Sequence, residues 1–495
     1  MHVFSPSGVA QTLFALAGRP FRHRRYPWAE RDSVSTTEYW WTGDDRWSPH
    51  DFPPRHGNKL TPLVDGQAIL KEMYEAMDAA ETSIYLVIWF LSPEFHMVRD
   101  GEDDDRYEFL SLVARKAETI DVRVLLWPGS VVGKCASSKV KKAQQTLLKA
   151  NPKIKVLLDK REHLSHCHHQ KTIVVDERLA YVGGIDPTLF DVDRWDKSGH
   201  PFRSGLNWHD ADWRIEGPCV ADVAANFAQR WNDSRPSDPV VLGPPPEPLA
   251  SGIDAQVQRT VPHGIYSFAP RGVFGIAHAY RNAIRHAQHF IYLENQYLWS
   301  PDMTEALCDA IERGKKTGLR IVLVLPAHPN VGKGDSDRHV QELIEADAGA
   351  GVFRAYTLYT SEWNQKKDRY QYRPVYVHAK TAVIDDEWAT VGSANLNGRG
   401  MATDTEMNAS VADGATARAL RLRLWSEHLF CTEDELRDID PLVVLDGHWR
   451  QAAEAQQRIV KQRSGKLTAA LYPYPLGSVE ADFGPGEIES ALLDR

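Results

Sequence analysis

The residues best suited to chemistry occur as two short runs of one design. His169-Gln170-Lys171 leads into TIVVD and His378-Ala379-Lys380 into TAVID, so both runs read HxKxxxxD. Residues i and i+2 of a strand share a face, which sets an imidazole beside an ammonium in each run. Fourteen residues after each His comes a glycine, Gly183 or Gly392. At offsets fifteen and seventeen follow Gly184 and Asp186 in one run, Ser393 and Asn395 in the other. Two such faces brought together make one site with two imidazoles, two cations, a hydroxyl and an amide. That inventory suits a phosphodiester: the cations neutralise nonbridging oxygens, a neutral His attacks phosphorus and a protonated His supplies the leaving oxygen with its proton. Charge balance calls for no metal and no cofactor. A single HxK more often marks a core histidine than a catalyst, so the repetition carries the reading. Asp176 and Asp385 end apolar strands, where supporting a turn is the expected task. Cys167 and His168 stand beside His169, but strand neighbours alternate faces and the sequence has no second Cys/His cluster, so no metal centre is expected.

The elements around these residues repeat as well, with a period of roughly 200 residues. The amphipathic run Ala68–Ala80 leads into Ile84-Tyr85-Leu86, then Ser92-Pro93-Glu94, then VRVLLWP ending at Pro128. The run AYRNAIRHAQ leads in the same way into Ile291-Tyr292-Leu293, then Ser300-Pro301-Asp302, then RIVLVLP ending at Pro326. A later strand opens with DAD (Asp210, Asp212) or DTE (Asp404, Glu406), and each unit closes with a helix carrying Trp231 or Trp425. Near-continuous apolar strands alternating with helices predict sheets covered on both faces. The fold class is therefore α/β: two similar α/β/α sandwich domains related by a pseudo-twofold axis. The expected division is an N-terminal extension 1–60, a first domain 61–234, a Pro-rich linker 235–250, a second domain 251–431 and a C-terminal extension 432–495.

Composition narrows the function classes. With 495 residues, 42% hydrophobic and 25% charged, the chain has the make-up of a globular protein with large cores. Its net charge of -9 gives no overall field toward nucleic acid or anionic membrane, so polyanion contacts must be local. Five scattered cysteines without CxxC spacing favour a reducing compartment over a disulfide framework. The longest apolar run, Ser83–Leu91, is far too short for a bilayer span, and the N-terminal stretch is not ordered like a secretory signal. A cytoplasmic location is expected. Tyr39, Trp40, Trp41 and Trp47 are expected to pack rather than to touch lipid.

The paired HxKxxxxD motifs resemble those of the phospholipase D superfamily over roughly residues 60 to 430. IYLENQY at Ile291–Tyr297, VYVHAKTAVIDD, VGSANLNGRG, TDTE, QRWN and GGIDPTLFDVDRWD are similar to its eukaryotic-type branch. The resemblance implies a two-step exchange through a covalent phosphohistidine, with His169 as nucleophile and His378 as general acid. It implies phosphate binding by Lys171, Lys380, Ser393 and Asn395, with Gly184 contributing through backbone N–H groups. An acidic residue after each motif is implied to orient the imidazole: Glu406 on the second side and, by the alignment of DAD with DTE, Asp212 on the first. The implied substrate is a glycerophospholipid, hydrolysed to phosphatidic acid or subjected to headgroup exchange, with cardiolipin synthase-like transfer and nuclease-type cleavage as alternatives. A monomer meeting the membrane peripherally, without nucleic acid, completes the expectation. The basic stretch Lys134–Arg161 and the mixed aromatic and basic run Tyr356–Tyr376 are candidate headgroup contacts.

Overall fold

The structure is a computed structural model and describes residues 46–49, 51–99, 105–129, 135–161, 167–190, 192–203 and 205–477. Tyr39, Trp40, Trp41 and Lys134 lie outside the described residues. The first half comprises β1 (Arg55–Val64), α1 (Gly66–Ala79), β2 (Ser83–Ile88), α2 (Phe109–Lys116), β3 (Asp121–Leu126), α3 (Cys135–Ala150), β4 (Lys155–Leu158), β5 (Thr172–Val175), β6 (Leu179–Gly183), β7 (Asn207–His209), β8 (Ala211–Glu216) and α4 (Cys219–Ser234). The second comprises β9 (Ile253–Val261), β10 (Val273–Phe274), α5 (Gly275–His286), β11 (Phe290–Glu294), α6 (Pro301–Thr317), β12 (Arg320–Val324), α7 (Lys333–Asp347), β13 (Phe353–Asn364), β14 (Arg369–Val377), β15 (Thr381–Ile384), β16 (Trp388–Gly392), β17 (Glu406–Val411) and α8 (Gly414–Leu429), with β18 (Leu471–Pro473) added near the C-terminus. Residues 235–252 connect the halves with turns but neither helix nor strand.

The two sheets have the same strand order. The first sheet runs β4-β3-β2-β5-β6-β8-β1, parallel among β4, β3 and β2 and antiparallel thereafter. The second runs β13-β12-β11-β15-β16-β17-β9 with the same senses. Edge strands β1 and β9 pair with each other and join the two sheets, and β7, a strand of the first half, pairs with β14 of the second sheet. β1 occupies in its sheet the place β9 holds in the other.

Alternation along each strand explains why both faces are covered. Ile84, Leu86 and Ile88 pack under α1, α2 and α3, while Tyr85 and Val87 point into a core shared by both sheets. Ile291 and Leu293 pack under α5, α6 and α7, and Phe290 and Tyr292 join the same shared core. Trp231 of α4 and Trp425 of α8 are both fully buried there. Val444, Leu445 and Trp449 also enter it, so the segment beyond 432 forms part of the central packing.

Two aspartates fasten the strands that carry the motifs. Asp176, at φ 53, accepts the N–H groups of Glu81, Thr82 and Ser83 at the start of β2. Asp385, at φ 57, does the same for Gln288, His289 and Phe290 at the start of β11. Each thus locks the far end of an HxK strand to its neighbour.

Candidate active site

Each HxK segment is gripped by the opposite half of the chain. His169 donates its backbone N–H to the Thr405 carbonyl at 2.9 Å, and His378 donates its own to the His209 carbonyl at 2.8 Å. The residue following each acceptor then meets the imidazole. Glu406 receives His169 Nδ1 at 3.0 and 3.1 Å, and Asp210 receives His378 Nδ1 at 2.7 Å. With Nδ1 committed to a carboxylate, Nε2 of each ring is the nitrogen left for phosphorus or for a leaving oxygen. All four side chains are buried.

This arrangement corrects two expectations. Asp212 touches neither imidazole: its carboxylate accepts the N–H of Gly184 at 3.0 Å and, more weakly, that of Ile185 at 3.4 Å. Glu406 serves the first-motif histidine, not the second. The strand register gives the reason. Gly183 pairs with Asp212 and Gly392 with Asn408, so Asp212 is the counterpart of Asn408 and Asp210 that of Glu406. Asp210 and Asp212 share one face of the strand, so alternation alone could not tell them apart.

Gly184 also has a different task from the expected one. Its N–H is directed to Asp212 and, at 3.3 Å, to the Ala211 carbonyl, and so is committed within the protein. A Cβ placed on it would come 2.0 Å from Asp210 Oδ1. The glycine therefore leaves room for the carboxylate that holds His378. Its counterpart Ser393 instead binds the carboxylate on its side, donating to Glu406 Oε2 at 2.5 Å and accepting the Met407 N–H at 3.0 Å. Gly184→Ser is expected to displace Asp210 and to lower turnover by about 10²-fold or more, with most of the melting temperature retained; steady-state kinetics beside thermal unfolding checks it.

The lysines are held in parallel fashion. Lys171 Nζ donates to the His169 carbonyl at 2.9 Å and faces Asp186 Oδ2 at 3.7 Å. Lys380 Nζ donates to the His378 carbonyl and, at 3.3 Å, to Gln296 Oε1. Asn395 is buried, and its Oδ1 makes no hydrogen bond among the described residues. Aromatic rings wall the site: Trp89 meets His169 edge-on at 5.0 Å, and Trp208 lies 4.6 Å from His378 while its Nε1 donates to Asp210 at 3.2 Å. Arg194 stacks on Trp208 at 3.9 Å. Trp89, Trp208, Arg194 and Gln296 were not reachable from motif spacing, although Gln296 lies within IYLENQY; Asp210 was reachable as the first residue of DAD, but the alignment favoured Asp212.

Burial holds His169 well below the ordinary imidazole range, and Lys171 and Lys380 push it further down. His378 is lowered in the same sense by burial and then by Lys380. Burial also pushes Lys380 down to about 7, against the pull of Asp210. Both imidazoles are therefore favoured in the neutral form, while burial raises Glu406 and Asp210, so one imidazole stands ready to attack. A bound phosphodiester would bring a negative charge to these groups and favour protonation of His378 and Lys380. Binding of a phosphonate monoester anion is thus expected to take up protons between pH 7 and 8 and to weaken as pH rises. Calorimetry in buffers of different ionisation enthalpy measures this, and proton release would contradict it.

Among known proteins, a family profile described as "Cardiolipin synthase, PLD-like domain" matches residues 280–426. Phospholipase D A of Dictyostelium discoideum is 26% identical over 466 residues, covering 76% of this chain and 36% of that protein. Bovine phospholipase D2 is 23% identical across 75% of this chain and 52% of its own length. Phospholipase D1 of Saccharomyces cerevisiae is 24% identical across 80% of this chain and 30% of its own length. Residues 280–426 thus carry a phospholipase D-like domain. The chain spans a third to a half of the length of these phospholipase D relatives. Phosphatidylserine synthase of Haemophilus influenzae Rd KW20 aligns with a TM-score of 0.47 at 12% identity, over 83% of this chain and 94% of that one.

Two features of the phospholipase D-like chain bear on its surroundings. No helix of the described residues is long and apolar enough to cross a membrane. Of the basic stretch ending at Arg161, Lys153 pairs with Glu118 at 2.7 Å, Lys155 with Asp121 at 3.2 Å and Arg161 with Asp233 at 2.9 Å, so part of its charge is spent internally.

Proposed function

We propose that the protein is a phospholipase D-type phosphodiesterase that cleaves a glycerophospholipid, or exchanges its headgroup, through a phosphohistidine. The observation that carries this is the crossed pair of dyads, each imidazole oriented at Nδ1 by a carboxylate of the other half. His169 Nε2 attacks phosphorus, and the bond to the headgroup oxygen breaks as His378 passes its Nε2 proton to that oxygen. In the second step His378, now neutral, takes a proton from water or an alcohol, whose oxygen displaces His169 and yields phosphatidic acid or a new phosphatidyl ester. Lys171, Lys380 and Asn395 hold the nonbridging oxygens. Asp210 and Glu406 orient the histidines, Ser393 holds Glu406, and Asp176 and Asp385 brace the strands. Because both HxK strands belong to one chain, a monomer carries one complete site.

Product analysis on mixed phospholipids with ethanol present tests the reading. Phosphatidylethanol is the expected product, with a single-stranded DNA control left intact. Cleavage of the DNA without any phosphatidyl product would replace the lipid reading by a nuclease one.

The β13–β14 hairpin supports a peripheral encounter with the lipid surface. Trp363 is 46% exposed and packs edge-on with Tyr370 at 5.1 Å, and the adjoining turn carries the exposed Lys366 and Lys367. An aromatic anchor ringed by cations suits an anionic interface, each lysine adding about 1 kcal/mol. The combined Trp363→Ala, Lys366→Glu and Lys367→Glu variant is expected to lose vesicle sedimentation at least tenfold while keeping its turnover of a monomeric short-chain substrate. Equal loss on both substrates would reject the hairpin as a docking element. The described cysteines Cys167, Cys219, Cys308 and Cys431 are unbridged, which supports a reducing, cytoplasmic setting.

A further inference from the structure

A second cluster of chemistry-bearing side chains lies behind the dyad of His378 and does not belong to the phosphate site. Asp65 follows β1, His200 sits in the segment 192–203, His209 ends β7 and Glu427 lies near the end of α8, so the two halves both contribute. All four are buried, and their candidate ligand atoms lie within 4.8 Å of one another. His200 Nε2 is 3.3 Å from Glu427 Oε1 and 3.8 Å from Asp65 Oδ2, and His209 Nδ1 is 3.0 Å from Asp65 Oδ1. A tetrahedral ion bound at about 2.0 Å separates its ligand atoms by about 3.3 Å.

Two further observations point to an ion. First, His200 Nε2 is buried without a hydrogen-bond partner among the described residues and is aimed at Asp65 and Glu427, whose carboxyl groups meet each other. An orphaned polar atom is rare in a core, and one aimed at two facing carboxyl groups calls for a partner there. Second, the other nitrogen of each imidazole is already set by a carboxylate. His200 Nδ1 meets Asp196 Oδ2 at 3.2 Å, and His209 Nε2 meets Glu294 Oε2 at 3.0 Å. Those carboxylates are anchored in turn: Asp196 accepts the Trp208 N–H at 2.7 Å, and Glu294 meets His428 Nε2 at 2.7 Å. A carboxylate behind each histidine is the arrangement that fixes a metal-binding tautomer.

We infer that Asp65, His200, His209 and Glu427 form a resident site for a divalent cation of zinc type. Two carboxylates and two neutral imidazoles carry a charge of about -2, which one such ion balances, and a mixed nitrogen and oxygen set in tetrahedral spacing suits zinc. The ion does not touch substrate. It fixes the His209-Asp210 dipeptide, whose carbonyl receives the His378 N–H and whose carboxylate orients the His378 ring.

The full chain, produced without a histidine tag in zinc-supplemented and in cobalt-supplemented medium, tests this. One zinc per chain is expected to survive dialysis against a chelator, and the cobalt form is expected to show the visible bands of a four-coordinate ion. Glu427→Gln and His200→Gln should reduce bound metal to a trace, whereas His378→Ala should keep it in full. A folded wild-type chain holding only trace metal overturns the inference and leaves the cluster as a proton-sharing network. A folded Glu427→Gln chain that retains one zinc overturns it as well, whatever the behaviour of the His200 variant.

Discussion

His169→Ala is expected to form no phosphoenzyme with any substrate, with activity reduced by at least about 10⁴-fold, because no other group can take the phosphorus. His378→Ala is expected to divide substrates by leaving group. An alkoxide leaves poorly without a proton, so phospholipid turnover should fall by a similar factor. A p-nitrophenolate leaves readily, so a burst of phosphoenzyme should persist on that substrate. Rapid-quench trapping with peptide mapping reads both variants. A phosphoryl group found on His378 with His169 unmodified would exchange the two roles and leave the two-step reaction in place.

The crossing of the dyads gives the second large effect. Glu406→Gln removes the acceptor that holds His169, so it should slow phosphoenzyme formation on all substrates, p-nitrophenyl esters included. Asp210→Asn removes the acceptor of His378 and should spare p-nitrophenyl esters relative to phospholipids. Each loss is expected at about 10² to 10⁴-fold in kcat, since a wrong tautomer or orientation affects every turnover. Asp212→Asn, by contrast, alters a carboxylate that binds only backbone amides and should change kcat by less than about tenfold. The leaving-group dependence of kcat across the three variants measures this. A pattern in which Glu406→Gln behaves like His378→Ala would show that the carboxylates act within their own halves.

The repeated HxKxxxxD runs, the apolar strands between them and the two terminal helices with Trp231 and Trp425 were legible in the sequence, because they follow from local periodicity and from repetition. A period of two predicts His169 with Lys171 and His378 with Lys380 on strand faces, whereas β5 and β15 begin at Thr172 and Thr381, just after each HxK. The sequence also marked Asp176 and Asp385 as structural, but the amides they bind belong to the starts of β2 and β11, more than 90 residues away, and not to their own turns. What periodicity cannot supply is register between strands distant in sequence. Asp210 and Asp212 share a face, and only the pairing of Gly183 with Asp212 across β6 and β8 decides which of them reaches an imidazole. The exchange of partners between halves was equally out of reach, because it depends on how the two halves meet at β1–β9 and β7–β14. Gly184 illustrates the same limit: a missing Cβ signals close approach, but the Asp210 carboxylate that approaches comes from a strand 26 residues on. Asp65, His200, His209 and Glu427 share no motif at all, and their convergence is a property of the tertiary structure alone. Local chemistry is written in spacing; which buried charges face one another is settled only when the chain closes on itself, because burial makes each such contact too costly to leave unpaired.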